Sequence, residues 1–208
     1  AVTESYNGTT WTEVNDLNAA RRSGGSGGSQ TAAVFFAGQD TAVRAYTESW
    51  DGTNWTEVND LNTARRNAGG NGISTSGLAY SGQIPPGTST DTESWNGTNW
   101  TEVNNLNTAR RYLANSGVDN TSGLAFGGYV PGTEDVVVTE VWNGTNWTEV
   151  NDMNSKRNNL AGSGTATSAL AMSGFRNSTP DDNTFRAEFP VGNSTKSLSG
   201  NFLANIFP

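Results

Sequence analysis

The chain has 208 residues, a formal net charge of −8, and neither His nor Cys. The acidic balance disfavours a nucleic-acid backbone, which needs clustered cations. The two absences remove disulfides, thiolate metal sites, the commonest general base and the Ser-His and Cys-His nucleophile pairs, and no stretch approaches the about 18 apolar residues of a membrane-spanning helix.

Taken in chain order, the first element is a hairpin. Thr3-Glu4-Ser5-Tyr6 and Trp11-Thr12-Glu13-Val14 are short β-prone runs separated by Asn7-Gly8-Thr9, a tight-turn signal. A basic pair, Arg21-Arg22, then opens a Gly-rich polar stretch that ends in the apolar run Ala33-Val34-Phe35-Phe36, which predicts a second hairpin. The first block returns almost unchanged from Thr47, Thr92 and Thr139, at spacings of 44, 45 and 47 residues. A degraded copy follows near residue 186, with Phe189 lying 47 residues after Trp142 and Ser194 in the region where Trp147 predicts a tryptophan. A period of about 45 residues with four short strands is the signature of a repeat built from four-stranded sheets, and no window has the 3.6-residue apolar spacing of a helix.

The ordered set within each period resembles the kelch repeat. It consists of a short apolar run ending in a small-residue pair (Gly123-Leu124-Ala125-Phe126-Gly127-Gly128), an aromatic (Trp142), a Trp five residues on (Trp147), then an apolar residue and a cation (Met153, Arg157). The pair is Ala37-Gly38, Ser81-Gly82 and Ser173-Gly174 elsewhere, a departure that keeps only small residues. The near-identity of the copies, as in Thr92-Glu93-Ser94-Trp95-Asn96-Gly97-Thr98-Asn99-Trp100, is similar to kelch-like repeats of structural proteins in tailed bacteriophages of marine cyanobacteria. The resemblance implies an all-β propeller over residues 1–198 with four full four-stranded blades, from residues 21–58, 66–103, 111–150 and 157–198, plus an N-terminal half-blade. It also implies a virion or extracellular location, and a non-enzymatic structural or interaction role without a cofactor. Its implied partners are other virion subunits and, at the outer surface, a host glycan; membrane insertion and nucleic acid are not among them.

Each recurring residue has a plain reading beside a functional one. The tryptophan pairs (Trp50 with Trp55, Trp95 with Trp100, Trp142 with Trp147) suit packing between repeats more than a sugar platform, because a core with 33% hydrophobic residues depends on its aromatics. The basic pairs recur with Glu13, Glu57, Glu102 and Glu149, and mutual pairing competes with a ring of cations, Arg22, Arg66, Arg111 and Arg157, open to an anion or glycan. A lectin is thus the alternative function, and a glycan hydrolase a weaker one, since hydrolysis needs two unlike carboxylates in one cleft whereas these glutamates repeat alike. Galactose-oxidase-like copper chemistry lacks its His and Cys here. An oxygen-only Ca²⁺ site from Asp119, Asp135, Asp181 and Asp182 has no EF-hand spacing to support it. Asn-X-Ser/Thr triplets such as those at Asn7, Asn54, Asn96 and Asn143 follow from the repeated turn.

Strand counting leaves residues 1–14 as an outer hairpin without inner strands. The tail 199–208 is apolar, and Phe202, Leu203, Ile206 and Phe207 are the expected assembly residues, making the protein an oligomer or part of a larger particle.

Overall fold

Short β-prone runs separated by Gly-containing turns give only strands: in the computed structural model, which describes residues 1–176, the chain is all-β and the described residues contain no helix. β1 (Thr3–Tyr6) and β2 (Trp11–Val14) form the first hairpin. β3 (Gly25–Ser29), β4 (Ala32–Phe36), β5 (Thr47–Trp50) and β6 (Trp55–Val58) form an antiparallel sheet in that order. β7 (Gly69–Ile73), β8 (Ser76–Tyr80), the short hairpin β9 (Gln83–Ile84) and β10 (Gly87–Thr88), then β11 (Thr92–Trp95) and β12 (Trp100–Val103) follow, with sheet order β7-β8-β11-β12. β13 (Ala114–Asp119), β14 (Ser122–Phe126), the short β15 (Tyr129–Val130) and β16 (Glu134–Asp135), β17 (Thr139–Trp142) and β18 (Trp147–Glu149) repeat the plan, and β19 (Ala161–Gly164) with β20 (Ala169–Met172) is a last hairpin.

Three of the repeat units, residues 21–58, 66–103 and 111–150, therefore each hold one four-stranded sheet. Residues 1–14 hold two strands, and β19 and β20 are the first two of the unit 157–198. The rest of that unit, including Phe189 and Ser194, and the tail residues Phe202, Leu203, Ile206 and Phe207 lie outside the described residues.

The repeated Asn-Gly sets the hairpin turns. The side-chain oxygen of Asn96 accepts from the N–H groups of Thr98 at 2.9 Å and Asn99 at 2.8 Å, while Gly97 takes φ +91°. Asn7, Asn143 and, with a carboxylate, Asp51 do the same in their turns. The turn thus accounts for the Asx-Gly of the recurring triplets at Asn7, Asn96 and Asn143, since it requires an Asx oxygen and a glycine that can adopt positive φ.

Apolar side chains are buried between neighbouring sheets, not within one. Val34 and Phe36 of one sheet pack with Ala79, Trp95 and Trp100 of the next, and Leu78 and Tyr80 pack with Ala125, Trp142 and Trp147 of the one after. The inner strands β3, β7, β13 and β19 run side by side in that order. Their glycines permit this: a Cβ on Gly27 would lie 2.5 Å from the Gly72 carbonyl oxygen, so the two backbones meet directly.

The small-residue pair proves to be two different requirements. Its first member, Ala37, Ser81, Gly127 or Ser173, sits at φ 58–62°, which Ala and Ser can adopt at moderate cost. Its second, Gly38, Gly82, Gly128 or Gly174, has φ 100–107°, and a Cβ there would stand 2.8–2.9 Å from the carbonyl oxygen of Arg22, Arg66, Arg111 or Asn158. Only the second position demands glycine.

Candidate interaction surface

The basic pairs divide by depth. The first member is buried: Arg21 pairs with Glu48, Arg65 with Glu93 and Arg110 with Glu140, with side-chain exposures of 0–2%. These glutamates lie on the third strand of each sheet. Each carboxylate also gathers donors from the linker; Glu93 accepts from the Asn62 backbone N–H at 2.7 Å, Asn62 Nδ2 at 2.9 Å and the Thr63 N–H at 3.3 Å. The glutamates singled out from the sequence, Glu13, Glu57, Glu102 and Glu149, stand on the outermost strands, exposed and outside these pairs. At Glu48, burial alone would raise the carboxyl, but Arg21 and the N–H groups of Asn18 and Ala19 outweigh it and hold it below its ordinary value.

The second member of each pair faces a rim where successive repeats meet. Arg22 bridges to Gln39, Arg66 to Gln83, Arg111 to Tyr129 and Asn158 to Phe175 through paired backbone hydrogen bonds. The residue after each one, Ser23, Asn67, Tyr112 or Asn159, takes φ 50–60°. That conformation sends its N–H or carbonyl to the neighbouring repeat: Asn67 N–H donates to the Ser23 oxygen at 2.8 Å, Tyr112 N–H to Asn67 at 3.3 Å, and Asn159 N–H to Tyr112 at 2.9 Å. A backbone chain of hydrogen bonds therefore crosses all four repeats beside this rim.

The structure brings three of the four sequence-predicted cations to the rim and takes the fourth inside. Arg22 is exposed. Arg66 is half-buried, its Nε 3.0 Å from Gln83 Oε1 and its Nη1 bonded to Gln39 Oε1. Arg111 lies over two rings, Tyr112 at 5.4 Å and Tyr129 at 5.1 Å from guanidinium carbon to centroid. Arg157 instead is 5% exposed and occupies the place of Arg21, Arg65 and Arg110, because Lys156-Arg157 is offset by one residue from the other pairs; Asn158 takes the rim position. Gln39, Gln83 and Tyr129, which hold the rim cations, were not singled out from the sequence. Their signal was there: each directly follows the glycine of the small-residue pair.

Nearby, Asp40 is drawn down to about 2 by the Ala42 N–H and by Arg44, whose Nε lies 2.9 Å away. Asp119 accepts from the Thr121 hydroxyl and N–H, which hold it below its ordinary value, and Asp135 accepts from Asn158. Both serve protein hydrogen bonds, and the described residues contain no group of three or more Asp or Glu placed to hold a metal ion. A rim that combines one free guanidinium, two held ones and two tyrosine rings can take an anionic or planar polar group. No family model and no curated protein matches the chain.

Proposed function

We propose that the chain is a non-enzymatic structural or interaction module, a kelch-like propeller of the kind found in tailed-bacteriophage virions, serving at a surface, tail or fibre position and able to touch the host surface. The observation that carries this reading is the uniform use of polar side chains. Arg21, Arg65 and Arg110 and their glutamates perform one structural task three times over, tying each linker to the third strand of its sheet. An active site needs neighbouring groups in unlike environments; this repeat spends its charged groups alike. Rows of identical sheets joined through identical contacts make an extensible scaffold.

A lectin-like role is the second reading, favoured by the half-buried Arg111 stacked on Tyr112 and Tyr129. Antibodies to the chain should decorate intact particles carrying its gene, and a signal confined to host extract counts against the virion role. A panel of bacterial surface glycans separates the rest. Turnover abolished by a single carboxylate substitution would overturn the non-enzymatic reading, whereas saturable binding without turnover, lost in Tyr129→Ala at unchanged stability, selects the lectin.

A further inference from the structure

The repeats are close copies where they pack and differ where they face the rim. Each rim position is held by the same pair of backbone hydrogen bonds whatever side chain stands there, so the fold leaves those side chains unconstrained. The bridging residue is Arg22, Arg66, Arg111 and then Asn158, and its partner is Gln39, Gln83, Tyr129 and then Phe175. The loop that begins at this partner also changes in length: Thr47 lies 10 residues after Ala37, Thr92 lies 11 after Ser81, and Thr139 lies 12 after Gly127. Relative to the first unit the third has one further extra residue, at the bulge between Gly117 and Asp119 on β13. In repeat proteins such insertions gather on one face, often the binding face.

Three of the bridging residues form one cationic arc. The Asn67 N–H donates to the Ser23 oxygen and the Tyr112 N–H to the Asn67 oxygen, so the residues that follow the arginines sit one hydrogen bond apart. Arg66 crosses the first joint, with Nη1 on Gln39 Oε1 and Nε 3.0 Å from Gln83 Oε1. Gln83 stands to Arg111 as Gln39 stands to Arg66, but Arg111 instead lies over the rings of Tyr112 and Tyr129, and its buried Nε has no acceptor among the described residues. Arg22 is exposed. Amides and rings thus orient Arg66 and Arg111, and among the described residues none of the three arginines forms an ion pair, although the chain has 20 acidic residues to 12 basic ones. Carboxylates of the rim loops are engaged elsewhere: Asp40 with Arg44 at 2.9 Å, Glu134 with Lys156 at 3.6 Å, and Asp135 with Asn158. Asp91, the remaining one, forms no ion pair among the described residues.

We propose that this arc binds an acidic polysaccharide, a sugar chain with a carboxylate on successive units, and that Arg22, Arg66 and Arg111 each take one carboxylate; this rests on the glycan-binding reading of the rim and names the class of glycan. A guanidinium presents five N–H donors in a planar fork that matches a carboxylate with two parallel bonds. Arg66 commits Nε and Nη1 to the glutamines, which leaves Nη2. Neutral groups alternate with the cations: the Ser23 hydroxyl, the Nε2 amides of Gln39 and Gln83, whose Oε1 atoms are taken, and the hydroxyls of Tyr112 and Tyr129. A sugar chain that carries both carboxylates and hydroxyls uses both kinds of group. The bases of a nucleic-acid strand need uncovered rings to stack on, and here both rings already carry Arg111. Because Arg66 and Arg111 are held in place before any ligand arrives, binding loses little of their side-chain entropy. A net charge of −8 repels polyanions from the chain as a whole, so the attraction must be local to the arc.

Titration calorimetry on the purified chain tests this with polygalacturonate and alginate as probes, the methyl ester of polygalacturonate as the uncharged sugar chain, and poly(dT) as the rival polyanion. At least one of the two acids should bind saturably, with the ester and poly(dT) weaker by about tenfold or more. Arg22→Gln and Arg111→Gln should each weaken that binding about tenfold, the loss of one charge-assisted contact. Salt raised to about 1 M, where charges are screened within about 3 Å, should weaken it as well. Arg44→Gln is the control, because it removes the same charge from the same face but from a guanidinium already held by Asp40; affinity should stay within about twofold. If Arg111→Gln lowers the melting temperature, the exposed Arg22 reads the arc by itself. Equal losses in Arg44→Gln and Arg22→Gln overturn the proposal, and so does tighter binding of poly(dT). Equal binding of the ester, lost in Tyr129→Ala, overturns it while the glycan-binding reading stands. Absence of binding to the acids and the ester alike overturns both.

Discussion

Trp100 and Trp11 are the same letter of the repeat in different surroundings, and replacing each by alanine separates packing from sequence identity. Trp100 is 5% exposed and Trp11 is 66% exposed. Each faces an aromatic across its hairpin, Trp95 at 5.3 Å and Tyr6 at 5.1 Å between centroids. Only Trp100 goes further: its ring meets Phe36 of the preceding sheet edge-on at 5.0 Å, and its Nε1–H reaches Thr47 Oγ1 at 3.0 Å. Deleting a buried aromatic side chain costs about 3–5 kcal/mol. For Trp11 only the cross-strand ring pair is lost, about 0.5–1.5 kcal/mol. In urea titrations at dilutions where the chain is monomeric, Trp100→Ala should therefore lose at least about 1.5 kcal/mol more than Trp11→Ala. In a thermal melt the Trp100→Ala loss corresponds to about 6–20 °C, at about 2–4 °C per kcal/mol for a domain of this size. Trp100→Phe keeps most of the ring contact and drops the N–H, so it should cost about 1 kcal/mol for the hydrogen bond plus a small packing loss. Equal losses at the two positions, or a Trp100→Ala melt that matches the parent, would refute the argument that these tryptophans work between sheets.

Arg65→Leu should destabilise by about 3–5 kcal/mol because it leaves Glu93 buried without its counter-charge, and Leu at both positions should recover part of that loss in the same urea assay. The depressed carboxyl of Glu48 has a folded value below its unfolded one, so its contribution is full above the ordinary value of 4.5 and disappears as pH falls through the folded value. Melts run downward from pH 5 should show this as a steeper loss in the parent than in Glu48→Gln, with parallel curves counting against it. Gly38→Ala, at φ +105° with a Cβ 2.9 Å from the Arg22 oxygen, should cost about 2 kcal/mol or more, while Ala37→Gly at φ +60° should stay within about 1 kcal/mol. Equal effects at the two sites would show that smallness alone is required.

The strands were legible because each repeat states them with its own punctuation: Asn-Gly, or Asp51-Gly52, marks the turn, an aromatic stands on each side of it, and a small-residue pair ends the second strand. Four copies made a coincidence untenable. Partner choice was less legible. Glu57 and Glu48 are cross-strand neighbours in one repeat, and nothing in their spacing says that Glu48 turns to Arg21 while Glu57 faces outward. That depends on which hairpin strand lies against the linker, a tertiary fact. Arg157 shows a subtler failure. Aligning the basic pairs by their second member places it beside Arg22, Arg66 and Arg111; aligning by the bridge to the residue after the glycine pair, which Arg22, Arg66, Arg111 and Asn158 make, places it beside Arg21, Arg65 and Arg110. Lys156 is then an extra surface cation, 3.6 Å from Glu134.

The contacts between neighbouring sheets are nearly copies of one another, so their differences rank the joints. Between the sheet of β3–β6 and that of β7–β12, Asn59 Nδ2 reaches the Thr98 oxygen and Asn99 Oδ1, Asn62 reaches the Trp100 oxygen, and Trp100 reaches Thr47. The next joint repeats these bonds through Asn104, Asn107 and Trp147. The joint to β1–β2 keeps the Asn15 and Asn18 bonds but lacks the tryptophan bond, and among the described residues that hairpin has no inner strands behind it. Where repeated units are held mainly by their neighbours, stability is close to a sum over joints. Among the described residues the first hairpin is held by the weakest of these joints, and opening should begin there.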